Sequence, residues 1–203
     1  DRLIKIGLDK NTIYNFGGLG ASIAKDKKLA TKKSLEKIYN FKFWKKNFII
    51  TFHPEMNIDE SIRKLKNILI ACKKCKDINF LITYPNFDIG ANLLIKILEK
   101  NKNEKNIKLI KNFNEDFYSV MSYCNGIIGN SSSAILEAPS FGIFSINIGD
   151  RQKGRIKAKS VIDCSPNKKS IKNAIKKAYS NEFQNLLKEV KNPYGDGYPS
   201  QKI

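Results

Sequence analysis

The sequence predicts a doubly wound α/β fold built on a parallel sheet. Short apolar runs rich in Ile and Phe recur at residues 48–52, 80–83, 107–110, 126–128, 143–148 and 161–164. They do not alternate with polar residues, the mark of strands covered on both faces. Between them lie stretches whose apolar residues repeat at helical spacing, joined by short links, the pattern of strands and helices alternating around one sheet. Ligands of such sheets sit beyond the carboxyl ends of the strands. Chemistry is therefore sought in the segments that follow each apolar run.

The first 30 residues read differently from the rest. Residues 1–7 look like the end of a helix closed by Gly7, residues 13–16 like a short strand, and Gly17-Gly18-Leu19-Gly20 like a tight turn or hinge. Thr31 then opens a helix. Residues 58–75 place Ile62, Leu65, Ile68, Leu69 and Cys72 on one face, behind an acidic first turn of Asp59 and Glu60 that suits the helix dipole. Residues 91–100 repeat the pattern with Leu94, Ile95 and Leu98. Residues 114–123 begin on Asn114-Glu115-Asp116, and residues 171–179 follow Pro166-Asn167. The chain opens without Met and inside a helix. It is expected to be part of a longer chain: residues 1–30 a crossover from a further domain, residues 31–191 the sheet domain, residues 192–203 a polar tail.

At 203 residues and 41% hydrophobic content the chain can bury a core. No apolar run approaches the ~20 residues that span a bilayer, and the first residues carry no apolar leader. A net charge of +18 raises the question of nucleic acid. Against it, only 4 of the 37 basic residues are Arg, and the lysines are spread over nearly every helix and loop, where a nucleic-acid surface more often mixes Arg and aromatics on one face. A basic nucleic-acid module is the weaker reading. Cys72 and Cys75 have CxxC spacing but close a helix. A redox pair opens one, and a zinc site needs four ligands where the chain has a single histidine. Ordinary thiols in a reducing cytoplasm, with neither metal nor cofactor, are expected.

Four strand-end segments carry candidate chemistry. In Gly129-Asn130-Ser131-Ser132-Ser133 a strand meets a turn, and three serines begin a helix. Hydroxyls and free N–H groups at a helix start make an anion cradle. Glu137 follows Ser131 by six residues, ~9 Å farther along a helix. That is about the reach from a diphosphate to its ribose. A capped helix with a surface Glu explains the same residues. His53-Pro54-Glu55 ends another strand. His53 there donates to phosphate or moves a proton, or merely caps the loop, with Glu55 close enough to pair. Asn86, in Tyr84-Pro85-Asn86-Phe87-Asp88, reaches a ligand or caps the next helix. Arg151, in the Gly-flanked loop 149–155, is a candidate diphosphate clamp, unless that loop is simply solvated.

His53-Pro54-Glu55, Tyr84-Pro85-Asn86-x-Asp88, Gly129-Asn130-Ser131-Ser132-Ser133-x-Ile135-x-Glu137-Ala138-Pro139-Ser140-x-Gly142 and Asn147-Ile148-Gly149-Asp150-Arg151-Gln152-x-Gly154-Arg155 together resemble the UDP-N-acetylglucosamine 2-epimerase family in order and spacing. The closing Asn192-Pro193-Tyr194-Gly195-Asp196-Gly197 does so too. The serine and arginine motifs are similar to the hydrolysing branch. The other branch usually carries Asp-Ser-Gly-Gly and Glu-Arg-Pro-Glu there. The resemblance implies a GT-B architecture of two Rossmann-like domains, of which this chain is the second. It also implies UDP or a UDP-sugar as ligand, a homo-oligomer, and no metal or cofactor. By position, Ser131, Ser132 and Arg151 would hold the diphosphate and Glu137 the ribose. His53 would be the catalytic contact near the leaving group with Asn86 beside it, and Phe117 or Phe113 would lie by the uracil. The acid and base carboxylates would lie in the other domain, leaving this half without turnover. The rival of the same fold is the nucleotide domain of a GT-B glycosyltransferase.

Overall fold

The computed structural model describes residues 2–21, 28–195 and 197–203; Asp1, residues 22–27 of the expected crossover and Asp196 of the expected tail lie outside them. The apolar runs become six strands: β1 Asn47–Thr51, β2 Asn79–Thr83, β3 Ile107–Ile110, β4 Gly126–Gly129, β5 Phe144–Ile148 and β6 Val161–Cys164. They pair only in parallel, in the order β3-β2-β1-β4-β5-β6. The chain thus winds outward from β1 in one direction, returns, and winds from β4 in the other. The reversal opens a crevice at the carboxyl ends of β1 and β4.

The apolar side chains of the central strands go alternately to two cores, which is why those runs are apolar rather than alternating. Phe48 and Ile50 of β1 join Phe80, Ile82 and Phe144 on one face. There they meet Leu65, Ile68 and Leu69 of α3 (Ile58–Lys74) and Ile171 and Ile175 of α7 (Lys168–Ala178). Ile49, Leu81 and Ile127 point the other way. They pack on Leu35 of α2 (Lys32–Ile38) and Val120 and Met121 of α5 (Phe117–Ser122). Phe48 is fully buried and meets Phe80 and Phe144 edge-on, with centroids 5.6 and 5.0 Å away. Such pairs add ~0.5–1.5 kcal/mol to burial of the ring. Side chains cap the helix starts: Asn57 accepts from the Glu60 N–H, Asn167 from Ser170 and Thr31 from Ser34. Further helices are α1 (Arg2–Lys5), α4 (Ala91–Glu99), α6 (Ser133–Leu136) and α8 (Asn181–Leu187). No helix among the described residues is long and apolar enough to cross a membrane.

Three expectations need correction. Residues 13–16 form no strand. Tyr14 is 71% exposed and stacks on Phe16 outside the sheet, because a four-residue apolar run has no strand identity without a neighbour to bond. The helix expected over residues 114–123 is a 3-10 turn, Asn114–Asp116, before α5, because Asn114 sits at φ 46 after the Asn112 side chain accepts its N–H. The helix expected from Ser131 is a single turn. It is α6, followed by a second 3-10 turn, Ala138–Phe141, since the ring of Pro139 is incompatible with a continuous ladder. The segment around Gly17 packs on the chain's other end: Gly18 N–H donates to the Tyr194 carbonyl at 2.6 Å.

Candidate functional site

The carboxyl ends of β1, β2, β3 and β4 surround a cleft of about 670 Å³ whose walls include His53, Asn86, Phe117, Ser131, Ser132 and Glu137. β4 ends just before the lining residues Ser131 and Ser132. Gly129 has φ 143, and a Cβ there would lie 1.9 Å from the Thr51 carbonyl oxygen of β1, so no side chain fits between the two strands.

Asn130, fully buried, follows that turn and satisfies every polar atom it has. Its N–H donates to the Thr51 carbonyl at 3.2 Å. Its side-chain oxygen accepts the His53 N–H at 2.8 Å, and its side-chain nitrogen donates to the His53 carbonyl and to Glu55 Oε1. Its carbonyl accepts Arg151 Nη1 at 3.1 Å and Gln152 Nε2 at 2.8 Å. One asparagine therefore ties the loops after β1, β4 and β5 together.

Beyond it the serine turn faces the cleft, with Ser133 on the wall beside Ser131 and Ser132. Ser133 Oγ donates to Ser131 Oγ at 3.0 Å, while the Ser131 and Ser132 N–H groups have no bonding partner among the described residues. The donors expected at a helix start are present, but on a helix of four residues with no side-chain cap at Ser132. So few peptide units sum to a small dipole, and the open N–H groups and hydroxyls carry the attraction for an anion.

His53 is 8% exposed, with one ring nitrogen already committed: Nδ1 accepts the Asn86 N–H at 3.2 Å. The neutral ring then keeps its proton on Nε2, which makes Nε2 a donor. Burial holds the pKa of His53 below its usual value. Arg151 pushes the same way, and Asp88 opposes. The site thus favours a neutral imidazole. Glu55 does not pair with His53 as its spacing suggested. It turns to Lys64, whose Nζ lies 2.6 Å from Oε2.

Glu137 caps the carboxyl end of α6 and lines the cleft with a carboxylate shielded from water. Its Oε2 is buried without a hydrogen-bond partner among the described residues, and burial raises its pKa. Gly20 covers the other oxygen. A Cβ at Gly20 would come 2.6 Å from Oε1, so the glycine permits the approach. An unsatisfied buried carboxylate oxygen is expensive to keep, by ~1–3 kcal/mol, and such groups mark places where a ligand supplies the missing donors.

Arg151 is exposed, beside the cleft rather than on its wall, with its guanidinium on the Asn130 carbonyl and close enough to act on His53. Phe117 lines the cleft. Phe113 does not: it is fully buried, edge-on to Tyr39 at 5.0 Å. The sequence reading missed Thr51, Thr83, Lys111 and Tyr118, which also line the cleft. Thr51 and Thr83 carry a signal, each being a polar residue in the last position of a largely apolar strand. No group of three or more potential metal ligands occurs among the described residues. Cys72, Cys75, Cys124 and Cys164 are free thiols, and burial raises the pKa of each.

The model of the UDP-N-acetylglucosamine 2-epimerase family matches residues 1–203. The chain is 36% identical over 187 residues to the GDP/UDP-N,N'-diacetylbacillosamine 2-epimerase (hydrolyzing) of Campylobacter jejuni, covering 90% of this chain and 48% of that one. It is 33% identical over 198 residues to polysialic acid biosynthesis protein P7 of Escherichia coli, covering 95% of this chain and 50% of that one. The chain spans about half the length of the curated relatives it matches. Among solved structures, UDP-GlcNAc 2-epimerase from Neisseria meningitidis bound to UDP-GlcNAc aligns with a TM-score of 0.78 at 22% identity, over 99% of this chain and 56% of that one. Sheet order, family model and relatives agree: this chain has a Rossmann-like doubly wound fold and belongs to the UDP-N-acetylglucosamine 2-epimerase family.

Proposed function

We propose that this chain is the UDP-binding half of a hydrolysing 2-epimerase that acts on UDP-N-acetylglucosamine or a related UDP-acetamido sugar. The observation that carries the reading is the meeting of His53, Asn86, Phe117, the serine turn and Glu137 in one cleft. In the proposed arrangement Glu137 accepts both ribose hydroxyls, which supply the donors its buried oxygen lacks. Phe117 flanks the base. Ser131, Ser132 and Arg151 take the diphosphate, with Asn86 nearby, and His53 donates to it through Nε2–H.

The reaction removes the proton at sugar C2 and breaks the bond from C1 to the diphosphate oxygen, leaving a 2-acetamidoglycal and UDP. Water then adds across the double bond to give the 2-epimer, N-acetylmannosamine or an analogue. Negative charge grows on the departing diphosphate. Donors already fixed in place stabilise it, each worth ~2.7–4 kcal/mol in comparable sites. A neutral His53 suits this role because it donates without needing to be protonated first. The groups that take and return the proton at C2 belong to the other half of the enzyme, with which this chain forms the sugar pocket, in a cytoplasmic homo-oligomer.

Calorimetry of UDP against this chain tests the binding, with Glu137→Ala and Arg151→Ala as controls, each expected to weaken it at least tenfold. UDP-N-acetylglucosamine given to the full-length enzyme without an acceptor tests the reaction: UDP plus a 2-epimerised sugar is expected. A sugar nucleotide left intact until an acceptor is added would replace this reading with a glycosyltransferase. The 203-residue chain alone should release no UDP.

A further inference from the structure

Lys64 does not line the cleft, yet it is 4% exposed, unusual for a lysine on a surface helix. A buried ammonium persists only with partners. Lys64 Nζ lies 2.6 Å from Glu55 Oε2 and 3.1 Å from Glu60 Oε1. The Glu60 contact is an ordinary pair one helical turn away, with Glu60 42% exposed. The Glu55 contact is of another kind: the two side chains are 6% and 20% exposed and belong to different elements. Glu55 in turn accepts from the Asn130 side chain at 3.1 Å, and Asn130 holds the His53 backbone and Arg151. The third loop rests on the same lysine. A Cβ at Gly149 would come 3.3 Å from Lys64 Nζ, on a backbone at φ 74 that glycine adopts freely. The loops bearing His53, Ser131 and Arg151 therefore share one shielded ion pair beneath them.

We infer that Lys64 is a positioning residue for the diphosphate end of the cleft, acting through Glu55 and Asn130 without touching the ligand. The inference rests on the UDP-binding reading above. A direct attraction between the lysine and the diphosphate, or a purely structural ion pair, would behave differently on substitution.

The test titrates this chain calorimetrically with UDP and with uridine, which lacks the diphosphate, for wild type, Glu55→Gln, Lys64→Met and the Glu55→Gln/Lys64→Met double variant. A wild type that does not bind UDP refutes the underlying reading rather than the role of Lys64. With wild-type binding in hand, Lys64→Met should weaken UDP about tenfold while uridine changes little. The double variant removes both charges together and stays folded should the single one collapse. It too should lose UDP affinity selectively, by about threefold or more, because α3 is no longer linked to Asn130. Equal losses for UDP and uridine would reduce the pair to a structural role and overturn the inference. So would unchanged UDP affinity in the double variant, or tighter UDP binding in Glu55→Gln, the signature of a lysine charge acting directly on the ligand.

Discussion

Replacing Glu137 by Gln should make the free chain more stable and its nucleotide complex weaker. The carboxylate is shielded by the Gly20 segment, one oxygen has no donor, and burial raises its pKa. A carboxylate whose folded pKa lies above its unfolded value binds protons more tightly when folded. Stability therefore falls as pH climbs from the usual carboxylate value through the raised one, and stays lowered at neutral pH. Glutamine has no charge to desolvate. Taking the low end of the cost of an unsatisfied buried acceptor, because the residue is only partly buried, the exchange returns ~1 kcal/mol at neutral pH. For a domain of this size that is ~2–4 °C in the melting midpoint. The same carboxylate should make two charge-assisted bonds to the ribose. Losing their charged character costs ~1.5–3 kcal/mol, or ~10–150-fold in UDP affinity. Calorimetric melting of both proteins at about pH 7.5 and about pH 4.5 measures the first effect, and the gap in midpoint should narrow at the lower pH. Titration with UDP measures the second. A Gln variant that melts lower than wild type near pH 7.5, or binds UDP within twofold, would show that Glu137 is held by the fold for itself.

Gly129→Ala should cost about 3 kcal/mol or more and leave little soluble folded protein, since its Cβ would fall on the Thr51 carbonyl; denaturant melts check this. His53, the sole histidine, should titrate below its ordinary value of 6.5 in proton NMR. Since the unfolded chain then binds the extra proton, stability should be lost as pH falls below about 6.5, a sensitivity that His53→Gln removes. Arg151→Lys should weaken UDP about tenfold despite keeping the charge, because an ammonium cannot hold the Asn130 carbonyl and present a second donor in the guanidinium's plane; titration against wild type measures it.

What could be read from the sequence follows what physical burden each residue bears. Phe48, Ile49 and Ile50 announce a strand covered on both faces because each of the three is fully buried. Ile13 and Tyr14 look similar in one dimension and bear no such burden. Phe113 and Phe117 stand four residues apart in one loop and short helix, and only packing decides that Tyr39 takes the first while the cleft receives the second. Glu55 is adjacent in sequence to His53-Pro54, so a His–Glu pair is the natural guess. Its actual partner stands nine residues on, and becomes available only once α3 packs beneath the loop. Gly20 and Glu137 are brought together from distant parts of the chain, and no local pattern marks that meeting.

At the end of the cleft proposed to take the diphosphate, the helix-dipole mechanism that the serine motif suggests has to be replaced by another. Three serines after a strand suggest a helix whose dipole binds phosphate, but α6 has four residues and Pro139 prevents its extension. The general positive field of +18 cannot substitute, since lysines spread over the surface are screened within ~8–10 Å at physiological salt. What remains is local: two N–H groups without a partner among the described residues, serine hydroxyls, the imidazole of His53 and one arginine. Such donors are effective only if held still, because a mobile dipole loses in reorganisation what it gains in attraction. The rigidity that a long helix would have provided has to come from elsewhere. The buried Asn130, which lies in the loop after β4 and bonds through side chain and backbone to the loops after β1 and β5, is the group in position to provide it.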